Sequence, residues 1–367
     1  MLGTRPEAIK LAPVVRRFRE VLREFQTSVV VTAQHRGLLD QALGVFSISP
    51  DYDLNVMQPG QTLFGSTSRI MAAMEPVLAK ENPDMVLVQG DTTTTFCGAL
   101  ASFYAVVPVG HVEAGLRTGD MRRPFPEEMN RVLATRLSTL HFAPTEMSAA
   151  NLRNEGIPME RIFVTGNTGI DAVLETRDRL ASGQLRAHHA PPSDPRKKLI
   201  LVTAHRRESF GEGFTGICDG LARLAQRDDV EIVYPVHPNP NVRTIVHAKL
   251  GSLSAIRLIE PLEYVPFVDL MRRAHVLLTD SGGVQEEGPS IGKPVLVMRE
   301  KTERPEAVEA GTARLVGTNP GRIVAETELL LDDDAEYQRR ARMHNPYGDG
   351  RASTRILDLV RAYFAKS

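Results

Sequence analysis

Short apolar runs rich in β-branched residues alternate with helical patterns along almost the whole chain. Apolar runs that are separated by roughly 10–15 residues of helical pattern indicate βαβ units and parallel sheets. The sequence therefore predicts an α/β fold. The candidate strands are Ser28–Thr32, Met85–Gln89, Val106–Val112, Leu140–Ala143 and Ile162–Thr165, then Leu199–Thr203, Glu231–Pro235, Ala255–Ile259, Val276–Thr279 and Pro294–Met298.

The strands form two series, and the chain of 367 residues is longer than a single hydrophobic core usually supports. Between the series lies Ala181–Lys198, where three prolines stand among small and polar residues, a composition typical of a linker. We therefore predict two Rossmann-like domains, residues 1–180 and 181–351. The final stretch, Ala352–Ala365, has the pattern of one amphipathic helix.

The overall composition narrows the class of protein. A net charge of −1 gives no footprint for nucleic acid and no basic membrane anchor. No apolar run approaches the roughly 18 residues of a membrane span, and no signal-peptide pattern precedes Gly3. Cys97 and Cys218 lack the spacing of a disulfide framework or a zinc site. We expect a cytoplasmic protein without a metal.

Polar clusters follow most of the candidate strands. Open parallel sheets bind ligands outside the carboxyl ends of their strands, so the clusters predict a cleft between two ligand-binding domains. The alternative is that strands simply lead into polar loops. The clusters are Thr32–Arg36, Gly90–Thr92, His111–Glu113, Thr203–Arg206, Val236–Pro238 and Thr279–Gly283.

The segment Asp280–Glu287 reads DSGGVQEE and follows an apolar strand. Gly282 and Gly283 would let backbone N–H groups approach a phosphate at a helix N-terminus. The hydroxyl of Ser281 could donate another hydrogen bond, and Glu287 could accept hydrogen bonds from ribose. The alternative is an ordinary capped turn.

Two further segments are candidate anion sites. In Gly3–Glu7, Arg5 can contact phosphate in bidentate fashion, and Lys10 lies a turn later; an exposed basic pair is the alternative. His205, Arg206 and Arg207 end the first strand of the second series, where a structural histidine is the alternative.

Three carboxylates are also candidates for the site, in addition to these basic residues. Asp91 ends a buried-looking strand, Glu113 follows His111 and Val112, and Glu127 begins a helix after Pro126. Carboxylates beside apolar sheet edges can act as general acids or bases. Each could instead be a helix cap or an ion-pair partner.

Several familiar motifs are absent. Gly211–Gly216 matches GxGxxG, but it does not directly follow a strand, and the next strand ends in Pro235-Val236-His237 rather than in an acidic residue. A nicotinamide cofactor is therefore not indicated. The chain has no Walker A loop, HExxH, GxSxG or carboxylate-rich metal pattern, so we expect no cofactor.

The turn at Gly3–Glu7 resembles the loop after a first strand, although only Met1 and Leu2 precede it. We expect the native protein to begin upstream, with a first strand that is missing here. A short first strand is the alternative.

From Gly3 to about Gly350 the chain resembles the non-hydrolysing UDP-N-acetylglucosamine 2-epimerases. The motifs that carry the resemblance are GTRPEAIK, TAQHR, GDTTTT, GHVEAGLRTGD, PEEMNR, FVTGNTGID, TAHRRESFG, YPVHPNPNVR, TDSGGVQEE, GKPVLVMR, TERPEAV and HNPYGDG. The resemblance implies the GT-B fold, with two Rossmann-like domains and the active site between them. It also implies a homodimer and a last helix that packs on the first domain.

By position, the resemblance assigns roles to residues of this chain. The catalytic set is Asp91, Glu113, Glu127 and His205, and the UDP-binding set is Arg5, Phe267, Ser281, Gly282, Gly283, Glu287 and Arg304. Phe267 would stack near the uracil, and Glu287 would hold the ribose. A second, activating UDP-GlcNAc site would involve Gln34, Glu127, Arg206 and His237.

The implied reaction is the reversible conversion of UDP-GlcNAc to UDP-ManNAc. UDP would leave C1 to give 2-acetamidoglucal and then add back, with the C2 proton delivered to the other face. Three alternatives stay open: a hydrolysing relative that releases UDP and ManNAc, a GT-B glycosyltransferase with a separate acceptor, and an inactive nucleotide-sugar sensor.

Overall fold

A computed structural model describes residues 1–32, 36–56, 58 and 60–366 of the chain. By their internal contacts, the residues fall into two compact units, Met1–Ala172 with Tyr347–Ser367, and Val173–Pro346. Residues 182–197 contain neither helix nor strand.

The first unit contains parallel strands with helices between them. Its strands are β1 (Val30–Val31), β2 (Tyr52–Asp53), β3 (Val86–Gln89), β4 (Val109–Val112), β5 (Leu140–Ala143) and β6 (Ile162–Val164). Its helices are α1 (Arg5–Glu20), α2 (Arg36–Val45), α3 (Leu63–Glu81), α4 (Thr93–Tyr104), α5 (Glu127–Leu137) and α6 (Glu146–Asn154), with a 3₁₀ turn at Met159–Arg161. Helix α7 (Thr168–Ala181) runs across the boundary between the units.

The sheet of the first unit has the order β3-β4-β5-β6, and β1 pairs with β2. Strand β4 is buried at every residue, as expected of a parallel strand that is covered on both faces. The prediction that this strand begins at Val106 is wrong: Val106 has φ +59° and its side chain is exposed. A β-branched residue rarely adopts that conformation, and it cannot continue a strand.

Residues 1 and 2 lie between β1 and β3. Leu2 is fully buried and forms an isolated parallel bridge with Val31, while the Met1 amine donates to the Leu87 carbonyl over 2.9 Å. Burial lowers the pKa of that amine to about 6. This pairing places Gly3 beside the ends of both strands.

The second unit contains a six-stranded parallel sheet. Its strands are β7 (Lys198–Thr203), β8 (Val230–Pro235), β9 (Ile256–Ile259), β10 (Val276–Thr279), β11 (Val295–Val297) and β12 (Ala313–Leu315). Its helices are α8 (Glu212–Leu224), α9 (Pro240–Leu250), α10 (Tyr264–Arg273), α11 (Gly282–Ser290), α12 (Pro305–Glu309), α13 (Pro320–Asp332) and α14 (Asp334–Ala341), with a 3₁₀ turn at Arg207–Ser209.

The strand order β12-β11-β10-β7-β8-β9 positions the site of this unit. The chain moves outward from β7 to β9 in one direction and then from β10 to β12 in the other. The adjacent strands β7 and β10 therefore flank a topological switch point, where open α/β sheets bind ligands. Their last residues are paired, Thr203 with Thr279.

The last helix, α15 (Ala352–Phe364), packs against α1. Buried Asp171 holds its first turn: the carboxylate accepts hydrogen bonds from the backbone N–H groups of Ala352 and Ser353 and from the Ser353 hydroxyl. An acidic side chain at a helix N-terminus satisfies N–H groups that have no partner within the helix.

The α/β class with parallel sheets is confirmed, and each predicted strand overlaps an observed one. The short strands β2 and β12 were not predicted. Helix α15 matches the amphipathic pattern to within one residue of its end.

Candidate active site

Glu113 directly follows the buried strand β4. Its backbone has φ +63°, a conformation that costs energy for a residue with a side chain and that occurs preferentially at functional sites. Lys10 donates to Glu113 Oε1 over 2.5 Å, and the Gln89 amide donates to Oε2. The carboxylate is therefore held on both oxygens, with an ammonium group on one side.

Asp91 lies at the end of the neighbouring strand β3, after Gly90 with φ +72°. A side chain at position 90 would place its Cβ 3.8 Å from Glu113 Oε2, so the two strand ends approach each other closely. Arg131 Nη2 donates to Asp91 Oδ2 over 2.5 Å. The carboxyl ends of β3 and β4 thus bring two of the three predicted catalytic carboxylates into one cluster.

His111, on β4, links the ends of β3 and β4 by a hydrogen bond. Its side chain is fully buried, and Nε2 lies 2.7 Å from the Gly90 carbonyl oxygen. Burial lowers the pKa of the imidazole to about 3, so the ring is neutral at pH 7 and Nε2 is the donor. His111 therefore fixes the backbone immediately before Asp91.

The predicted anion loop at Gly3–Glu7 is organised by Glu7, which sequence reasoning missed. Glu7 is buried and accepts hydrogen bonds from the backbone and hydroxyl of Thr4 and from the Thr92 hydroxyl. Burial raises the pKa of this carboxyl. The pattern Thr-x-x-Glu before a helix is a capping box, which could have identified it. Arg5 is half-buried at the first position of α1.

Glu127 is the first residue of α5 and is half-buried. Within the described part of the chain, no side chain or backbone group forms a hydrogen bond or ion pair with its carboxylate. The carboxylate is therefore not committed to the capping or ion-pair role that was its alternative.

The second cluster lies at the switch point of the other unit. Asp280, which follows β10, is completely buried, and its Oδ2 accepts hydrogen bonds from the backbone N–H groups of His205 and Arg206 over 2.6 and 2.7 Å. Its Oδ1 lies 3.4 Å from His205 Nδ1. Asp280 therefore joins the loop after β7 to the loop after β10, a role that the sequence did not reveal.

His205 and His237 stack with ring centroids 5.3 Å apart. Partial burial lowers the pKa of His205, with Asp280 opposing that shift and His237 adding to it. His237 itself is exposed. Arg206 Nη2 lies 3.9 Å from Glu303, so the strand ends after β7 and β8 carry two imidazoles and one guanidinium.

Helix α11 begins at Gly282, with Ser281 at the N-cap position. The Ser281 side chain makes no capping hydrogen bond, in contrast to the capped-turn alternative. A Cβ at Gly282 would stand 3.5 Å from Arg304 Nη2, whereas one at Gly283 would meet nothing closer than 3.9 Å. The helix N-terminus is thus open to a ligand and flanked by a guanidinium.

Two predicted residues lie on the helices around this turn. Phe267 is half-buried on α10, and Glu287 is half-buried on α11. The charge of Glu287 contributes to raising the pKa of Tyr264, after the larger effect of burial. Arg304 donates from Nε to buried Glu286, which fixes the guanidinium beside Gly282.

Arg299 is a further residue that sequence reasoning missed. It is 5% exposed and forms ion pairs with Glu208, in the loop after β7, and with Glu303. The sequence signal for it was a basic residue directly after an apolar strand, because Arg299 lies two residues beyond the end of β11. Arg299 therefore joins the loop after β11 to the loop after β7.

The remaining predictions are placed as follows. Gln34 lies outside the described residues. No helix among residues 1–32, 36–56, 58 and 60–366 combines the length and the apolar character that a membrane crossing requires. The same residues contain no group of three His, Cys, Asp or Glu side chains arranged to hold a metal ion.

Comparison with known proteins shows which family this chain resembles. Residues 19–361 match the family model described as UDP-N-acetylglucosamine 2-epimerase. The UDP-N-acetylglucosamine 2-epimerase of Salmonella typhimurium is 58% identical over 368 residues, covering 99% of this chain and 98% of that protein. The protein of the same name from Escherichia coli K12 is 58% identical over 366 residues, with 98% and 97% covered.

Among solved structures, the UDP-GlcNAc 2-epimerase of Neisseria meningitidis, bound to UDP-GlcNAc, has a TM-score of 0.88 at 47% identity and covers 98% of each chain. The family model and these relatives identify the protein as an isomerase. The chain belongs to the UDP-N-acetylglucosamine 2-epimerase family.

Proposed function

We propose that this protein interconverts UDP-GlcNAc and UDP-ManNAc by eliminating UDP and adding it back. The observation that carries the proposal is the pair of carboxylates at the ends of β3 and β4, which are both held by cations and lie within one cluster. Breaking a C2–H bond requires a base on one face of the sugar, and delivering a proton to the other face requires an acid. One cluster with two carboxylates supplies both.

The elimination route is favoured over direct proton exchange because C2 of GlcNAc has no adjacent carbonyl to stabilise a carbanion. Departure of UDP from C1, with loss of the C2 proton, gives 2-acetamidoglucal. Addition of UDP with protonation on the opposite face gives UDP-ManNAc. Stabilising the leaving diphosphate falls to the second cluster, where Arg304 and the N-terminus of α11 offer fixed positive charge.

The roles proposed for the individual residues are those that the resemblance implies. Asp91, Glu113 and Glu127 act as the acid–base groups, and His205 lies with the diphosphate-binding residues at the switch point. Arg5, Ser281, Gly282, Gly283 and Arg304 bind the phosphates, with Phe267 near uracil and Glu287 on the ribose. Lys10 neutralises Glu113 in the absence of substrate and becomes available to phosphate when Glu113 is protonated.

Proton NMR of the purified protein with UDP-GlcNAc in deuterated water tests the proposal. We expect UDP-ManNAc to appear with deuterium at C2. Accumulation of UDP with free ManNAc would instead identify the hydrolysing reaction. An unchanged spectrum from folded protein would contradict epimerisation and favour a transferase or a sensor.

A second molecule of UDP-GlcNAc is proposed to activate the enzyme, through Gln34, Glu127, Arg206 and His237. The support is that the Glu127 carboxylate has no partner among the described residues and that His237 is exposed yet stacked on His205. We expect a lag or sigmoidal kinetics with UDP-ManNAc alone, abolished by trace UDP-GlcNAc. Hyperbolic kinetics without UDP-GlcNAc would contradict activation.

The protein is also proposed to act as a homodimer. Support comes from an exposed apolar group at the end of α4, formed by Phe103, Tyr104 and Val106, since contiguous apolar surface commonly marks an interface. Sedimentation equilibrium should give the dimer mass, and Val106→Asp should shift the distribution toward monomer. A monomer mass for the unmodified protein would contradict the dimer.

The cellular role proposed is to supply ManNAc units for bacterial surface polysaccharide from the cytoplasm, where nucleotide sugars are made. Its support is the proposed product, an activated sugar. Deletion of the encoding gene should remove ManNAc from surface polysaccharide, and the catalytically intact gene should restore it. An unchanged ManNAc content would contradict this role.

A further inference from the structure

In the turn of helix α5 that follows Glu127, three residues contact the carboxylate cluster or the groups around it: Glu128, Asn130 and Arg131. The three residues are 1%, 1% and 7% exposed. Ionised groups are rarely buried to this degree unless they are paired. The partners of these three buried side chains therefore need to be identified.

Arg131 spans two carboxylates. Nη2 donates to Asp91 Oδ2 over 2.5 Å, and Nη1 lies 3.1 Å from Glu128 Oε2. A planar guanidinium can contact two partners in fixed directions, whereas the single nitrogen of lysine cannot reproduce that geometry. The orientation of the Asp91 carboxylate thus depends on the Arg131 guanidinium, which is itself held by Glu128.

The side chain of Asn130 holds the backbone of Asp91. Its Nδ2 donates to the Asp91 carbonyl oxygen over 2.9 Å. Together with Arg131, one turn of one helix holds both the main chain and the carboxylate of Asp91. With His111 fixing the preceding carbonyl of Gly90, the Asp91 backbone is restrained on both sides.

Glu128 also reaches the loop that follows Glu113. Its Oε1 accepts hydrogen bonds from the backbone N–H groups of Thr118 and Gly119, over 2.9 and 3.0 Å. Since Oε2 of the same carboxylate faces Arg131, Glu128 connects this loop to Asp91 through a single guanidinium. The adjacent Glu127 takes no part in these contacts.

We propose that Arg131 is the positioning residue that aims the Asp91 carboxylate at the substrate, with Asn130 restraining its backbone and Glu128 anchoring the guanidinium. This inference rests on the proposed function, in which Asp91 takes part in proton transfer. Arg131 acts through Asp91 and contacts no reacting atom.

The test compares Arg131→Lys with Arg136→Lys, an exposed arginine on the same helix, in the full-length protein. We expect Arg131→Lys to lower kcat by about 100-fold, because misplacing an acid–base group removes most of the contribution of general catalysis. The KM for UDP-GlcNAc and the thermal midpoint should change little. Arg136→Lys should match the unmodified protein.

A second variant keeps the outcome decisive if lysine perturbs folding. Arg131→Ala should lose more activity than Arg131→Lys and regain part of it with added guanidinium ion below denaturing concentrations, whereas Arg136→Ala should show no such gain. A merely structural arginine would give parallel changes in kcat, KM and thermal midpoint, without rescue.

The inference is overturned if Arg131→Lys retains the unmodified kcat, or if activity falls only in proportion to the folded fraction. Asp91→Asn separates this from failure of the proposed function. An active Asp91→Asn would remove Asp91 from the mechanism itself, whereas an inactive Asp91→Asn with a fully active Arg131→Lys would overturn the positioning role alone.

Discussion

The two units place opposite kinds of chemistry at the carboxyl ends of similar parallel sheets. In the first unit the strand ends carry carboxylates, Glu113 and Asp91, each neutralised by a neighbouring cation. In the second unit the strand ends carry imidazoles and guanidinium groups, and the buried carboxylate Asp280 is used to hold backbone N–H groups. One arrangement suits proton transfer, and the other suits binding an anion.

A shared architecture therefore specifies where a site lies but leaves its chemistry to a few side chains. In each unit a side chain at the carboxyl end of one strand is bound to the backbone at the end of the neighbouring strand. His111 performs that task with a neutral ring in the first unit, whereas Asp280 performs it with a charge in the second. The following substitutions test this division.

The largest effect is expected from Glu113→Gln, which removes the acid–base group but preserves its shape. We expect kcat to fall by about 1,000-fold, within the range for loss of general acid–base catalysis. Steady-state rates measured by anion-exchange separation of the two nucleotide sugars provide the test. Glu146→Gln, at an exposed position on α6, is the matched control, and equal kcat values in the two variants would contradict the assignment.

A smaller effect is expected from Arg304→Met in the second cluster. Losing a charge-assisted contact to phosphate costs about 1.5–3 kcal/mol, which corresponds to about 10–100-fold in the KM for UDP-GlcNAc. Initial-rate kinetics measure it. Arg314→Met, which removes an arginine of the same unit paired with Glu326, should leave KM unchanged; similar KM increases in both variants would mean a general electrostatic effect.

The smallest effect concerns stability and sharpens the contrast between His111 and Asp280. Unfolded histidine is protonated below about pH 6.5, whereas folded His111 stays neutral down to about pH 3. The folded state therefore loses stability as the pH falls through this window, by at most about 1.4 kcal/mol per pH unit from this group.

His111→Asn should remove that component. Urea unfolding between about pH 7 and pH 5 should show a shallower acid slope in the variant, although its stability at neutral pH is lower because a buried hydrogen bond is lost. Exposed His188 provides the control substitution. Identical slopes for His111→Asn and the unmodified protein would show that His111 does not remain neutral in the folded state.

The sequence was sufficient for the α/β class and for the segments that end at the two clusters, because apolar runs and polar strand ends are local patterns. It could not distinguish Glu127 from Glu128. Both are glutamates at the start of a helix, and only the tertiary structure shows that one pairs with Arg131 while the other stays uncommitted. The anchoring role of Asp280 was hidden in the same way within a motif that suggested phosphate binding.

Other differences have physical reasons of the same kind. Strand β12 has three residues, Ala313–Leu315, too few to show a periodic pattern, and it becomes a strand by pairing with β11. Valine is common in strands, yet Val106 lies in a turn and has a left-handed backbone conformation. Strand β12 therefore depends on a long-range pairing, whereas the turn at Val106 is closed locally, by a hydrogen bond from its backbone N–H to the Phe103 carbonyl oxygen.

Isothermal titration of UDP into Glu113→Gln, Arg304→Met and the unmodified protein distinguishes the roles of the two clusters. We expect Glu113→Gln to bind UDP at least as tightly as the unmodified protein, because Lys10 no longer pairs with a carboxylate, although its kcat is lower by about 1,000-fold. Arg304→Met should bind UDP at least about 10-fold more weakly. Weak binding by Glu113→Gln together with full affinity in Arg304→Met would contradict the division of proton transfer and anion binding between the two clusters.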